Sequence, residues 1–295
     1  MPELPEVQTV VTDLIAAGLP GRRIVRVQVR WPGTIAAPSV NAFVQRLRGV
    51  RIVALGRRAK YIVITLASGE TLLAHLRMSG RFHCAAAGEP PAAHDRVIFE
   101  LDNRQSLRFH DTRKFGRISL LRDPHTVFKR LGIEPLSRAF TPAALAKILR
   151  SRGRMLKPLL LDQTLIAGIG NIYADEALWE ARLHPLRRSA SLSGAEVNAL
   201  QRAIRSVLRR AIRNAGTSLG AGKGNFRSPH AARGRHQDEL RAYQRTGEPC
   251  LRCAAVIVRI IVGQRSTHLC PRCQRLSADR SRPDAPARAP APSRC

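Results

Sequence analysis

The stretch VRIVALGRRAKYIVITLASGETLLAHL, residues 50–76, has the pattern from which the fold of the first part of the chain is predicted. It contains three short runs rich in valine, isoleucine and leucine, and the turn pair Ser68-Gly69 separates the last two. Runs of this kind predict β-strands. Four others have the same pattern: RIVRVQVRW from Arg23, RVIFELD, SLRFHD and GRISLLR. Seven short strands before Arg122, with few helices between them, predict a β-sandwich as the first domain.

Two helices are expected to flank these strands. The first runs from about Glu3 to Ala17 with its large apolar residues on one face, and Gly18 ends it. The second runs from residue 40 to residue 48, with Ser39 as its N-cap and a glycine after its last turn.

After about Ile133 the pattern becomes helical. Thr141, followed by proline, is a good start for the helix AALAKILRSR. Ser193 and Glu196 form a capping box at the start of a long helix. The apolar residues of that helix share one face: Val197, Leu200, Ile204, Val207 and Ala211. This part of the chain is therefore predicted to be a second, helical domain.

Glycines interrupt the helical pattern in GIGNIYADE, where Gly168 and Gly170 come just before Asn171. Glycines ahead of a helix expose backbone N–H groups at its positive end, which can hold a phosphate. A plain turn between two helices has the same pattern. The glycines alone therefore leave both interpretations open.

The chain carries 50 lysine and arginine residues against 21 aspartate and glutamate residues, a formal net charge of +29. This excess predicts a polyanionic partner, most commonly nucleic acid, although ribosomal and membrane-surface proteins share such a composition. The sequence has no run of 18 apolar residues and no signal-peptide pattern. We therefore expect a cytoplasmic protein that does not enter a membrane and whose cysteines are reduced unless they bind metal.

The strongest single motif is a pair of CxxC sequences with 16 residues between them: Cys250, Cys253, Cys270 and Cys273. Two such pairs can wrap four thiolates tetrahedrally around one zinc ion, and four protein ligands make that zinc structural. Two disulfides or a chance spacing are the alternatives. The intervening residues predict a β-hairpin that turns near Gly263-Gln264 and displays Arg259 and Arg265. Cys84, outside the module, is interpreted as a buried small residue rather than a nucleophile.

Two segments lack a helix or strand pattern. Residues 216–235 are glycine-rich and basic, which predicts an exposed loop. Residues 277–295 contain four prolines and no apolar anchor, which predicts a disordered tail.

The chain opens with MPELPEV, which places Pro2-Glu3 and Pro5-Glu6 at its very end. Proline is well tolerated in a first helical turn, and acidic residues there favour the helix dipole. A helix start alone accounts for this composition. Chemistry at the terminus is the alternative, which the rest of the sequence must decide.

Four stretches in this order resemble the bacterial formamidopyrimidine-DNA glycosylases, over a span from Pro2 to about Leu276: PELPEV, RRAKY, DQTLIAGIGNIYADEALW, and the four-cysteine module with GQRSTHLC. The resemblance implies an α+β multidomain protein with an N-terminal catalytic β-sandwich, a helix–two-turn–helix DNA-binding module and a zinc-ribbon finger. The expected domains are 1–133, 134–240 with a lesion-recognition loop at about 216–235, 241–276, and the disordered tail 277–295.

The resemblance also implies chemistry at the opening stretch, with Pro2 as the nucleophile once Met1 is removed. An α-amino group titrates at about 8, so a usable fraction is neutral at about pH 7. The amine attacks C1′ of a damaged nucleotide, expels the base and forms an iminium, and successive β- and δ-elimination cut the strand. Glu3 matches the family's acid/base, which moves a proton at the sugar ring.

Other positions match residues that hold the DNA backbone in the family. Lys60 matches a catalytic-site lysine on a phosphate of the damaged nucleotide. Asn171 and Arg265 match phosphate clamps, and Arg265 joins the expected catalytic set. Lys157 matches a further backbone contact, and His75 a residue that touches a phosphate.

The family also fills the gap that a flipped nucleotide leaves in the duplex. Met78, Arg113 and Phe115 match the filling side chains, with Arg113 pairing with the orphaned base. Met78 and Phe115 would otherwise be interpreted as core residues at strand ends. Thr112 stands where the resemblance leads us to expect proline. The remaining residues expected to bind DNA are Glu6 and Tyr173.

The implied function is that of a bifunctional DNA glycosylase and AP lyase for oxidised purines such as 8-oxoguanine and formamidopyrimidines. It implies double-stranded DNA with oxidised bases or abasic sites as the partner, one structural zinc per chain, a monomer, and a bacterial cytoplasmic location at the nucleoid. Leu4, rather than glycine, favours the purine-lesion branch. The alternatives are an endonuclease VIII-like glycosylase for oxidised pyrimidines and a non-catalytic damaged-DNA-binding protein. The 216–235 segment has no clear counterpart in the family.

Overall fold

A computed structural model describes residues 1–151, 153–218 and 234–276. The chain has an α+β architecture with a β-sandwich, a helical module and a C-terminal hairpin that carries the cysteines. The expected disordered tail and the middle of the expected 216–235 loop lie outside the described residues. None of the helices in the described ranges is long and apolar enough to cross a membrane.

Two sheets enclose the N-terminal core, which confirms the predicted β-sandwich. The strands are β1 Ile24–Val29, β2 Ile35–Ala37, β3 Ile52–Arg58, β4 Tyr61–Leu66, β5 Thr71–His75, β6 Arg81–Ala86, β7 Asp95–Leu101, β8 Gln105–His110 and β9 Arg117–Leu121. One sheet has the order β1-β7-β8-β6 and the other the order β2-β9-β5-β4-β3. Neighbouring strands are antiparallel, apart from the parallel pair β2 and β9.

Two of these strands, β2 and β6, were not predicted from the sequence. Strand β2 has only three residues, and β6 has the sequence RFHCAA, which contains no β-branched residue. Strand propensity mostly reflects packing against neighbours. Pairing of β6 with β8 and of β2 with β9 therefore makes these segments strands.

The first two helices, α1 Leu4–Ala16 and α2 Val40–Leu47, flank the sandwich as predicted. Ser39 caps α2 by accepting a hydrogen bond from the Ala42 N–H. Most of the buried face of α1 packs into the sandwich core, but Leu4, at its start, packs into the core of the helical module. The N-terminus of the chain therefore lies where the two cores meet.

A short helix, α3 His125–Phe128, follows the last strand of the sandwich. The helical module contains α4 Pro142–Arg150, α5 Leu156–Leu161, α6 Asn171–Glu180 and α7 Gly194–Arg213. Thr141 caps α4, and the capping box of Ser193 and Glu196 at the start of α7 is confirmed. The predicted apolar face of α7 is buried throughout, and it packs mainly against α6, α1 and α4.

The predicted hairpin consists of β10 Val258–Val262 and β11 Arg265–Leu269. Its turn residues Gly263 and Gln264 have φ of +54° and +61°, the left-handed values that a tight two-residue hairpin turn requires. Arg259 and Arg265 are exposed on it. The turn was therefore predicted correctly from its two residues.

Candidate active site

The start of α1 meets the start of α6, and the Glu3 carboxylate joins them. It accepts hydrogen bonds from the backbone N–H groups of Gly170 (2.6 Å) and Ile172 (2.9 Å). A Cβ at Gly170 would lie 2.4 Å from the Glu3 carboxyl carbon, so only glycine permits this approach. The glycines of GIGNIYADE therefore do hold an anion at a helix N-terminus, but that anion is the protein's own carboxylate.

Glu3 is buried, with 3% of its surface exposed. Burial raises its pKa to about 7, with Glu6 adding to the rise, while Lys60 and the α6 N–H groups oppose it. A carboxyl group with this pKa can both give and take a proton near neutral pH. Pro2, the preceding residue, is buried beside it, whereas Met1 is 53% exposed.

Lys60 lies in the turn between β3 and β4, with 4% of its surface exposed. Burial lowers its pKa, and the carboxylates of Glu3 and Glu6 oppose that effect. The two carboxylates favour the charged form of this largely buried lysine. The structure thus brings Lys60, Glu3 and Glu6 into one electrostatic cluster.

His75 lies at the end of β5, and its ring packs edge-on against Tyr61. Its Nδ1 accepts a hydrogen bond from the Arg77 N–H, which leaves the proton on Nε2. Burial is the main cause that lowers its pKa to about 3, so the ring is neutral at physiological pH. His75 is therefore suited to donate a hydrogen bond rather than to supply charge.

Glu6 anchors the start of the segment expected to form an exposed loop. It accepts hydrogen bonds from the Thr217 N–H (2.8 Å) and from the Tyr173 hydroxyl. Thr217 and Ser218 are 3% and 1% exposed, so the exposed-loop prediction is wrong at this end. Tyr173 is only 1% exposed, and its hydroxyl is occupied by Glu6 and Thr217. In this structure the Tyr173 hydroxyl therefore contacts the protein itself, and the expected DNA contact of Tyr173 stays a prediction.

Met78, Arg113 and Phe115 protrude together from two adjacent loops. Met78 and Phe115 are 46% and 48% exposed, which excludes the core interpretation of these two side chains. The Arg113 guanidinium lies 4.9 Å from the centre of the Phe115 ring and donates a hydrogen bond to the Met78 sulfur at 3.5 Å. The three side chains thus form one contiguous protrusion, here called the wedge.

Asp111 organises the wedge, and sequence reasoning did not identify it. This fully buried carboxylate accepts hydrogen bonds from the Ser79 hydroxyl and from the backbone N–H groups of Arg113 (3.1 Å) and Gly116 (2.7 Å). It therefore fixes both loops that carry the wedge. Thr112, which replaces the expected proline, is exposed and does not prevent this arrangement.

The four cysteine sulfurs of the C-terminal module all lie within 4.8 Å of one another. Cys253 Sγ lies 3.4 Å from the sulfurs of both Cys270 and Cys273, which is too long for a disulfide and suits thiolates around one tetrahedral metal. The residues therefore fit one structural Zn²⁺. Cys84 is half-buried against the sandwich core, and burial raises its pKa, so it is not an activated thiol.

Lys157, expected as a further DNA-backbone contact, is fully buried on α5. Its Nζ donates to the Asp175 carboxylate at 2.6 Å and to the Ser266 carbonyl at 2.8 Å. The other Asp175 oxygen accepts from the His268 N–H at 2.9 Å. Lys157 thus forms a buried ion pair that links the hairpin to the helical module, and its expected DNA contact stays a prediction.

Asn171 and Arg265 both lie next to Ser266, the residue whose carbonyl accepts from Lys157. The Asn171 side-chain amide donates to the Ser266 carbonyl at 3.0 Å, and Arg265 is the exposed neighbour of Ser266. The structure therefore places the two expected phosphate clamps next to each other, although they are far apart in sequence. Glu176, on α6, fixes the segment before the four-cysteine module. It accepts hydrogen bonds from the backbone N–H groups of residues 241–243 at 2.8 to 2.9 Å.

Three family models match consecutive parts of the chain. Residues 1–118 match the formamidopyrimidine-DNA glycosylase N-terminal domain, and residues 131–221 match the formamidopyrimidine-DNA glycosylase H2TH domain. Residues 247–276 match the zinc finger found in FPG and IleRS. These matches agree with the sandwich, the helical module and the four-cysteine hairpin.

Individual relatives match over nearly the whole chain. The formamidopyrimidine-DNA glycosylase of Roseiflexus sp. is 48% identical over 278 residues, which cover 93% of this chain and all of the relative. A Lactococcus lactis Fpg variant bound to Fapy-dG-containing DNA has a TM-score of 0.86 at 34% identity, covering 93% of this chain and 100% of that one. Wild-type Lactococcus lactis Fpg bound to DNA with an oxidised pyrimidine has a TM-score of 0.85 at 34% identity, with the same coverage. By these matches the chain belongs to the formamidopyrimidine-DNA glycosylase family.

Proposed function

We propose that this protein is a bifunctional DNA glycosylase and AP lyase that removes oxidised purines in base excision repair. The observation that carries the proposal is the Glu3 carboxyl group, buried on the N-terminus of α6 beside Pro2, with a pKa of about 7. A protein that only binds DNA has no need of a poised proton donor next to its chain end. The fold, the basic charge and the family membership supply the rest of the argument.

Base release starts at the amine of Pro2 after Met1 is removed. The nitrogen lone pair attacks C1′ of the damaged nucleotide, and the bond from C1′ to the base breaks. The base leaves with the electron pair and takes up the proton that the amine loses. Glu3 then donates a proton to the sugar ring oxygen, the ring opens, and the nitrogen and C1′ share an iminium bond. The pKa of Glu3 leaves a substantial protonated fraction for this step at neutral pH.

Strand cleavage follows from the iminium, which acidifies the proton on C2′. Loss of that proton expels the 3′ phosphate by β-elimination, and a second elimination expels the 5′ phosphate. Lys60 holds a phosphate of the same nucleotide, while Asn171 and Arg265 hold the backbone from the helical module and the finger. These groups keep C1′ near the amine through several steps.

The lesion class is proposed from relatives as well as from residues. Curated relatives are named for formamidopyrimidine lesions, and one Lactococcus lactis Fpg complex contains an oxidised pyrimidine. Activity on oxidised pyrimidines is therefore a second candidate within the same chemistry. A panel of duplexes that carry 8-oxoguanine, a formamidopyrimidine or an oxidised pyrimidine, assayed under single-turnover conditions, tests the proposal. Faster release of pyrimidines than of either purine lesion would reverse the assignment.

We further propose that the protein acts as a monomer in the bacterial cytoplasm and associates with the nucleoid through DNA. The domain limits stay a proposal at residues 1–133, 134–240 and 241–276, with the tail beyond them. The high positive charge supports an association with DNA that weakens as salt rises.

Substitution of Cys250 by Ser is expected to remove the zinc and to weaken lesion-DNA binding by about tenfold or more, because Arg265 and Ser266 lie on the hairpin that the metal stabilises. The β-sandwich has a separate core, so it should remain folded. Metal analysis should give one zinc per chain in the unmodified protein. The matched control is Cys84→Ser, which lies outside the module. A metal-free protein that binds lesion DNA normally would contradict this prediction.

Substitution of Arg113 or Phe115 by Ala is expected to slow base excision from duplex DNA by about tenfold or more. Cleavage of a preformed abasic site should slow much less, because an abasic nucleotide needs less unstacking. The two rates are measured separately on otherwise identical duplexes. Val25→Ala serves as the control, since Val25 is also about half exposed (49%) but lies on β1, away from the wedge. Equal losses on both substrates would indicate a folding defect instead.

A further inference from the structure

The turn that carries Lys60 is held by an ion pair that joins the two main parts of the chain. Arg57, at the end of β3, contacts both Glu134 carboxylate oxygens at 3.0 Å. Arg58 adds a second contact to Glu134 at 3.0 Å. The side chains of Arg57 and Glu134 are only 9% and 16% exposed, so the pair is largely shielded from solvent. Removal of either partner would therefore leave a poorly solvated charge without its counter-ion.

This pair holds both backbone polar groups of Ala59, the residue before Lys60. The Ala59 N–H donates to Glu134, and the Ala59 carbonyl accepts from the Arg57 guanidinium at 3.0 Å. Ala59 has φ of +53°, in the left-handed region that a residue with a Cβ seldom adopts. Such a conformation persists only where the surroundings enforce it, and here Arg57 and Glu134 do so.

The same pair reaches the elements that carry Pro2 and Glu3. The Arg57 Nε donates to the Gln8 side chain on α1 at 3.2 Å. Next to Glu134, Ile133 pairs with the backbone of Leu165 and Ala167 at 3.1 and 2.9 Å. The segment after Ala167 leads directly to the glycines that seat Leu4 and Glu3. Glu134 and its neighbours thus connect the turn that carries Lys60 to the backbone segment that binds Glu3.

We propose that Glu134, acting with Arg57, is a positioning residue that sets where Lys60 stands relative to Pro2 and Glu3. The inference rests on the proposed function of Lys60 at the damaged nucleotide. The Glu134 carboxylate does not take part in the reaction directly, because both of its oxygens already contact Arg57, Arg58 and Ala59. Its effect on the reaction passes through the turn, not through contact with DNA.

The test is a double-mutant cycle between Glu134 and Lys60, measured as single-turnover cleavage of a preformed abasic duplex. In the otherwise unmodified protein, Glu134→Ala is expected to slow cleavage by about tenfold to a hundredfold, the loss typical of a misplaced catalytic group. Glu134→Gln keeps an acceptor for the Ala59 N–H and should lose less. Glu70→Ala, which removes the partner of Arg46 in the same sandwich, is the matched control and should keep the full rate.

The decisive comparison is made in a Lys60→Ala background. If Glu134 acts through Lys60, adding Glu134→Ala there costs at most about twofold, because the group to be positioned is already absent. Equal losses in both backgrounds would overturn the inference and leave Glu134 as a structural link between domains. A Lys60→Ala protein with an unchanged rate would instead overturn the proposed role of Lys60 itself. Two measurements show that each variant is folded: a thermal unfolding transition like that of the control, and an affinity for lesion DNA within about threefold of the control.

Discussion

Blocking the amine of Pro2, either by retaining Met1 or by adding an N-terminal tag, is expected to abolish covalent trapping on lesion DNA. The proposed reaction needs a free secondary amine at the chain end, and an acylated nitrogen has no lone pair available for attack on C1′. Pro2 is buried beside Glu3 whereas Met1 is exposed, so the proposed nucleophile already lies beside Glu3 when Met1 is removed. We therefore expect complete loss rather than a partial one.

The measurement is borohydride reduction in the presence of a duplex with 8-oxoguanine opposite cytosine. The adduct should map to the N-terminal peptide and should lack Met1. Pro2→Gly supplies a primary amine and should trap more weakly, while a tag after Cys295 serves as the matched control and should trap normally. An adduct on Lys60 would keep the enzyme but overturn the role of Pro2. Intact binding without any adduct would favour the non-catalytic DNA-binding alternative.

Glu3→Gln is expected to bind lesion DNA yet to release base about 10²- to 10⁴-fold more slowly, the contribution typical of a positioned proton donor. An amide cannot transfer a proton to the sugar ring, while the proposed phosphate contacts of Lys60, Asn171 and Arg265 remain. Single-turnover base release, measured beside lesion-DNA affinity, separates the two effects. A variant that releases base at nearly the original rate would remove Glu3 from the mechanism.

The pH dependence gives an independent check on Glu3. If the protonated carboxyl group is the donor, base release should fall as pH rises through about 7, the pKa that burial gives it. The Pro2 amine, with an ordinary pKa of about 8, adds a rise over the same range, so the profile should be bell-shaped. In Glu3→Gln the fall attributed to Glu3 should disappear from the residual activity.

The same raised pKa has a consequence for stability. Its folded-state value lies above the ordinary value of 4.5, so the folded protein binds this proton more tightly than the unfolded chain does. The stability contributed by Glu3 is thus present below about pH 4.5 and is lost as pH rises towards 7. Above pH 7, Glu3→Gln should melt at a temperature no lower than the unmodified protein. A marked drop there would indicate that the carboxylate seat is needed for folding.

Several site features could not be predicted from the sequence because their partners are remote. Glu134 is separated from Ala59 by 75 positions, and Glu3 from Gly170 by 167. Asp175 lies within the GIGNIYADE stretch and Asp111 follows a predicted strand, but nothing in the sequence around either residue indicates that its carboxylate is buried. Only the packing of the domains shows that each of these carboxylates satisfies several N–H groups at once.

The surroundings of Lys157 and Tyr173 could not be predicted from the sequence either. The resemblance assigned both to DNA by position alone. The structure buries both side chains, one against Asp175 and the other against Glu6. A matching position therefore does not reveal the protein partners of a side chain.

The features that could be predicted from the sequence depend on residues close together in the chain: the helix caps, the apolar face of α7, the Gly263-Gln264 turn and the spacing within each CxxC pair. Those features are short-range, so the residues that cause them stand side by side in the chain. Other features arise only from tertiary packing: strands β2 and β6, the hydrogen bonds of Glu3 to the N-terminus of α6, and the hydrogen bond of Glu134 to the turn that carries Lys60. Each of these depends on burial, which makes an unpaired polar group costly and so selects partners from distant parts of the chain.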